Sequence, residues 1–161
     1  MIFGLTLVHV ALSLVGIFSG FVVLFGLLAR KHLDGWTAWF LATTVATSAT
    51  GFFFPVHHIL PSHKVGIISL VVLAIAIVAR YAKHLAGAWR WIYVVTASIA
   101  LYLNVFVGVV QAFEKVPALK AAAPTQSEPP FLVAQIVVLL LFVVLTIVAA
   151  IKFRNQPVRT A

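Results

Sequence analysis

Five apolar runs, separated by short clusters of charged, glycine and proline residues, set the pattern of this chain. Their spacing predicts helices over residues 2–29, 36–58, 64–81, 91–113 and 131–151, with one long connection at 114–130. Crossing the ~30 Å hydrocarbon core of a bilayer takes about 20 helical residues, which these runs approach or exceed. The expected architecture is therefore all-α: a polytopic membrane helical bundle of five transmembrane helices in one domain spanning 1–161. Arg30, the first basic residue, follows the first run rather than preceding it, so that run reads as a retained anchor and not as a cleavable signal.

Within the runs, small and polar residues recur at helical spacing. His9, Ser13, Gly16 and Gly20 share one face of the first helix, which should point into the bundle because small residues let helix backbones approach. Thr37, Thr44, Ser48 and Gly51 form a similar stripe on the second, where hydroxyls are expected to bond their own helix carbonyls. Pro55 and Pro61 should kink or end that helix between them. On the fourth run Tyr93, Ala97, Ala100, Asn104 and Gln111 share a face, and Asn104, deep by residue count, requires a partner. The connection EKVPALKAAAPTQSEPP carries four prolines, with room for one helical turn at 116–123.

Composition agrees with the pattern. Of the 161 residues 63% are hydrophobic and 9% charged, too few polar groups to cover a water-soluble domain. The formal charge of +8 raises nucleic acid as a partner, but the eleven Lys and Arg residues sit at the ends of apolar runs and act as topology signals, so no nucleic acid is expected. With the N-terminus outside, eight of them (Arg30, Lys31, Arg80, Lys83, Arg90, Lys152, Arg154 and Arg159) fall inside and three (Lys64, Lys115 and Lys120) outside. The positive-inside rule then selects N-terminus out and C-terminus in, in what is expected to be a bacterial inner membrane.

Orientation decides the candidate chemistry. There is no cysteine, so any metal must be held by nitrogen and oxygen. Three of the six histidines, His57, His58 and His63, lie in the corner ATGFFFPVHHILPSHK on the outer side, and His9 lies a few turns below the same surface. Neutral imidazole is the commonest ligand of zinc, copper and haem iron, so these four are the candidate ligands of a transition metal or haem b, serving redox chemistry or metal handling. Asn104, Gln111, Glu114 and Gln135 are the candidate partners behind them. His9 and Asn104 are placed to share a site if their helices touch, and His32 and His84 belong to inner turns. The competing reading is an accessory or assembly subunit of a larger membrane complex, in contact with lipid and other membrane subunits, whose histidines are structural. Missing motifs exclude a phosphate-binding loop, a nucleophile elbow and the histidine boxes of an integral diiron oxygenase.

Overall fold

A computed structural model describes residues 2–54 and 61–154. Among them there is no strand. The helices are α1 (Ile2–Leu28), α2 (Asp34–Thr50), α3 (Pro61–Ile77), α4 (Trp89–Lys115), α5 (Pro117–Ala122) and α6 (Pro129–Arg154). Four of these, α1, α3 with its continuation to Ala82, α4 and α6, are long and apolar enough to cross a membrane. The protein is thus a helical membrane protein, its apolar outer faces directed to lipid.

Helix α2 is where the expected second span differs. It has 17 residues and ends at Thr50, short of 58; a 3-10 turn, Gly51–Phe53, continues it. Phe54 then turns extended, with φ −72° and ψ 131°. A following proline drives a residue out of the helical region, so Pro55 ends the helix from one position away. At the other end of the bundle α1 stops in a left-handed cap: Arg30 has φ 58°, and Lys31 N–H and Arg30 N–H bond the carbonyls of Gly26 and Leu27 at 2.8 and 3.1 Å. The short helix within 114–130 starts on Pro117, whose missing N–H costs nothing at a first helical position.

Helices α1 to α4 pack in sequence order around a common core, with α1 returning against α4, and α6 lies along α4 and α1. The core is built from Val23, Leu24, Phe40, Leu41, Leu73, Ala76, Tyr93, Val94, Ala97 and Leu101, all nearly inaccessible. Gly20 is required at its centre. A Cβ there would stand 2.5 Å from Leu101 Cδ1 and 2.9 Å from the Phe40 ring, so only the missing side chain lets α1 approach α2 and α4 this closely. Gly16 and Gly20 are buried and His9 half-buried, so the small-residue face of α1 does point into the bundle.

Two polar ties mark the ends. At one, Ser48 donates to Ser69 at 3.0 Å, joining α2 to α3. At the other, Arg80 at the C-terminal end of α3 bonds Asp34 at the start of α2. Arg80 lies in a π-helical turn, Val78–Ala82, that widens the end of α3 and carries the guanidinium over the Tyr93 ring, 5.3 Å from its centroid.

Candidate functional site

His9 sits on the second complete turn of α1, where Ser13 one turn on donates to its carbonyl at 2.9 Å. Its Nδ1 lies 2.9 Å from Thr50 Oγ1, across the α1–α2 interface. The Thr50 hydroxyl also bonds the Thr47 carbonyl at 3.1 Å. A hydroxyl has one hydrogen, and a carbonyl can only accept, so Thr50 donates to Thr47 and accepts from His9. Both bonds stand together only when Nδ1 carries the imidazole proton. The tautomer assigned in this way leaves the lone pair on Nε2. Phe54 packs edge-on to the ring at 5.3 Å, and Gly51 faces Cε1, so ring orientation is fixed from two further sides. This is how metal-ligating histidines are commonly prepared, one nitrogen held by a neighbour and the other presented.

Of the other predicted ligands, His63 is half-buried in the first turn of α3, its ring 5.5 Å from that of Phe52. His9 and His63 thus flank the same turn, Gly51–Phe54, from α1 and α3. His57 and His58 lie outside the described residues. Among the described residues no group of three or more His, Cys, Asp or Glu side chains comes together as a metal would need.

The predicted partners divide. Asn104 is buried, but it meets α1 at Gly16, seven residues beyond His9 and therefore about 10 Å along the helix axis at 1.5 Å per residue. Gln111 is exposed and donates to Glu114 at 3.3 Å, a pair on the outer surface of α4. Gln135 is buried and donates to the Phe106 carbonyl at 3.3 Å, tying α6 to α4. Neither of these two bonds reaches a histidine.

Two features were not singled out in the sequence. One is Thr50, whose role follows from helix pairing and has no sequence signature. The other is the group of Asp34, Arg80 and Tyr93 at the opposite end of the bundle from His9, in which Arg80 is not merely a topology charge: its side chain is only 8% exposed. The signal for that pair was present, since Asp34 is the only aspartate of a basic chain. His32 lies at this end too, against Phe153 at 5.1 Å between ring centres.

Comparison of the chain with family models, curated proteins and solved structures gives no match in any of the three.

Proposed function

We propose that the chain crosses the membrane five times, with its N-terminus outside and C-terminus inside, and that its outer end binds a transition metal or haem iron through His9 Nε2. The fifth crossing is α2. The chain leaves α1 at the end where Gly26 packs on Leu33, and α3 ends beside Asp34 at that same end. An α3 that crosses and finishes there must start on the far side, so the segment between Asp34 and Pro61 carries the chain across. Orientation follows from the eight-to-three division of basic residues.

The observation that carries the binding reading is the His9–Thr50–Thr47 relay, which favours the Nδ1–H tautomer and so leaves the Nε2 lone pair for the proposed ligand bond. An intramembrane histidine held in this way is prepared to accept a metal without reorganisation. His57, His58 and His63 are the proposed remaining ligands.

Elemental analysis and an optical spectrum of the detergent-purified protein test the reading. A stoichiometric metal or a haem band is expected. His9→Ala should abolish it, Thr50→Val should weaken affinity about 10- to 100-fold as loss of an orienting partner does, and His32→Ala should leave it unchanged. A colourless, metal-free protein overturns the reading and leaves the accessory-subunit one.

A further inference from the structure

Beside the turn that joins them, α1 and α2 leave a hollow on their exposed side. Leu14, Val15 and Phe18 line it from α1 and Gly35, Trp36 and Trp39 from α2, around about 760 Å³, which lies within the ~300–1,000 Å³ range of small-molecule sites. Its walls are largely aromatic. Phe18 is 63% exposed, Trp36 44% and Trp39 64%, and Phe18 meets Trp36 at 5.9 Å between ring centres. The one hydroxyl in the lining, that of Ser19, is spent on the Val15 carbonyl at 2.6 Å, so the hollow suits an apolar occupant. A Cβ on Gly35 would meet nothing within 4 Å, and the hollow is therefore open at the start of α2.

Where it opens, the chain is basic. Lys31, an exposed residue of the α1–α2 turn, stands four residues before Gly35. The same end carries Arg30, Arg80, Lys83, Arg90 and Lys152 against a single acid, Asp34, which is already paired with Arg80. At the other end Lys64, Lys115 and Lys120 stand with Glu114 and Glu128. All four tryptophans, Trp36, Trp39, Trp89 and Trp91, fall in the first two turns of α2 and α4 at the basic end, and tryptophan favours the level where lipid chains meet headgroups. We propose that the hollow holds one anionic phospholipid, with an acyl chain between Phe18, Trp36 and Trp39 and its phosphate at Lys31. Basic pockets between membrane helices draw anionic headgroups, and each Lys or Arg near the surface adds to the attraction. A helix, from a partner or a second copy, fits less well. Membrane helices dock through small residues, and those of α1, Gly16 and Gly20, are already used inside the bundle. Large rings around a hollow suit a flexible chain instead. The proposal depends neither on a metal at His9 nor on which way the bundle faces.

Brominated lipids test it through the tryptophans themselves, with the full chain in phosphatidylcholine nanodiscs. Trp89→Phe with Trp91→Phe leaves Trp36 and Trp39 as reporters, and Trp36→Phe with Trp39→Phe leaves the pair at the start of α4. At equal mole fraction, phosphatidylglycerol brominated on its chains should quench Trp36 and Trp39 about five-fold more effectively than brominated phosphatidylcholine, the preference that one basic residue near a membrane surface supplies. Trp89 and Trp91 should show a smaller preference. Lys31→Gln should bring the ratio at Trp36 and Trp39 close to that at Trp89 and Trp91, while Lys120→Gln, at the other end, should leave it unchanged. Gly35→Phe, which fills open space without altering charge, should act as Lys31→Gln does. If a reporter background fails to fold, native mass spectrometry of the unsubstituted chain and of Gly35→Phe, each released from mixed nanodiscs, takes its place: one phosphatidylglycerol should stay with the first and be lost from the second. Equal ratios at the two tryptophan pairs, a ratio unchanged by Lys31→Gln or Gly35→Phe, equal lipid retention by the two chains, or shielding of Trp36 and Trp39 from both lipids, as a protein covering the hollow would give, overturns the proposal.

Discussion

Helices α2 and α6 solve opposite problems. Six of the seventeen residues of α2 are buried, and four of those six are threonines. The 26-residue α6 is rich in leucine and valine, yet only 11% of its most apolar stretch is buried. In water the assignments would be reversed, with the leucines inside and the hydroxyls out. Lipid tails are as apolar as leucine, so exposing Leu140 or Val144 to them costs nothing, whereas a threonine facing lipid gains no partner. The polar helix is therefore the enclosed one, held between α1 and α3.

The comparison breaks most sharply over whether α2 crosses at all. Its 17 residues, continued by the three of the 3-10 turn, make a rod of about 30 Å at 1.5 Å per residue. The chain has no cysteine, so single cysteines at Gly35 and Phe53, both exposed, report directly on sidedness. An impermeant thiol reagent should label Phe53→Cys from outside and Gly35→Cys only from inside. Labelling of both from one side would make α2 a re-entrant helix and leave four crossings.

Packing density supplies the next contrast. Gly20→Val sets methyl groups where Leu101 and Phe40 already stand, at 2.5 and 2.9 Å from the Cβ position, and should cost about 1–3 kcal/mol by overpacking. Leu140→Ala, on the lipid face of α6 at 59% exposure, should stay within about 0.5 kcal/mol. Unfolding of both variants in one detergent gives the difference. Equal losses would mean that α6 packs against something as tightly as α2 does.

A smaller effect is expected at the N-terminal end of α2. The Asp34 side chain is 82% exposed while that of Arg80 is 8% exposed, so the ion pair is half solvated and its loss in Asp34→Asn should cost at most about 1 kcal/mol. Added salt should shrink the difference between the two proteins. A larger, salt-insensitive loss would show that Asp34 supports the Arg80 position over Tyr93 rather than merely pairing with it.

Most of this architecture was legible from periodicity, because long apolar runs between charged turns admit few alternatives. The face of α1 carrying Gly16 and Gly20 was legible for the same reason: seven- and eleven-residue spacings from His9 return to one side of a helix. The bonds that define the candidate site were not. His9 meets Thr50 because α1 and α2 pair in a particular register, and register is set by contacts such as Phe40 and Leu101 on Gly20 that no single run encodes. Asn104 advertised a need for a partner without naming it. Thr44 looked self-satisfied by the usual rule for helical threonines, yet its hydroxyl finds no partner within the protein.

The smallest effect belongs to the connection into α6, which is tied to the bundle through the buried Ala123 and through Gln126 Nε2, which donates to the Val110 carbonyl at 3.1 Å. Glu128, just before Pro129, accepts from the Thr125 hydroxyl at 2.8 Å, and from the Thr125 and Ser127 amides, each at 3.1 Å. These bonds favour the charged carboxylate, the Thr125 hydroxyl most of all, and hold Glu128 below the usual glutamate range. A lowered folded-state value fixes the sign: the contribution is complete above the unfolded carboxyl value and is lost as pH falls through the lower, folded one. Because the group is only half-buried and its bonds stay within residues 125–128, the consequence should be local and the bundle should stay folded through that transition. Amide exchange at Thr125 and Ser127 should accelerate, relative to the intrinsic rate at each pH, as Glu128 protonates, and Glu128→Gln should show the faster relative exchange at all pH values. Exchange at Leu101 and Ala97 should not follow it. Global loosening in step with Glu128 would place the 114–130 connection in control of the bundle, and the contrast between an enclosed α2 and a peripheral α6 would then no longer describe what holds this protein together.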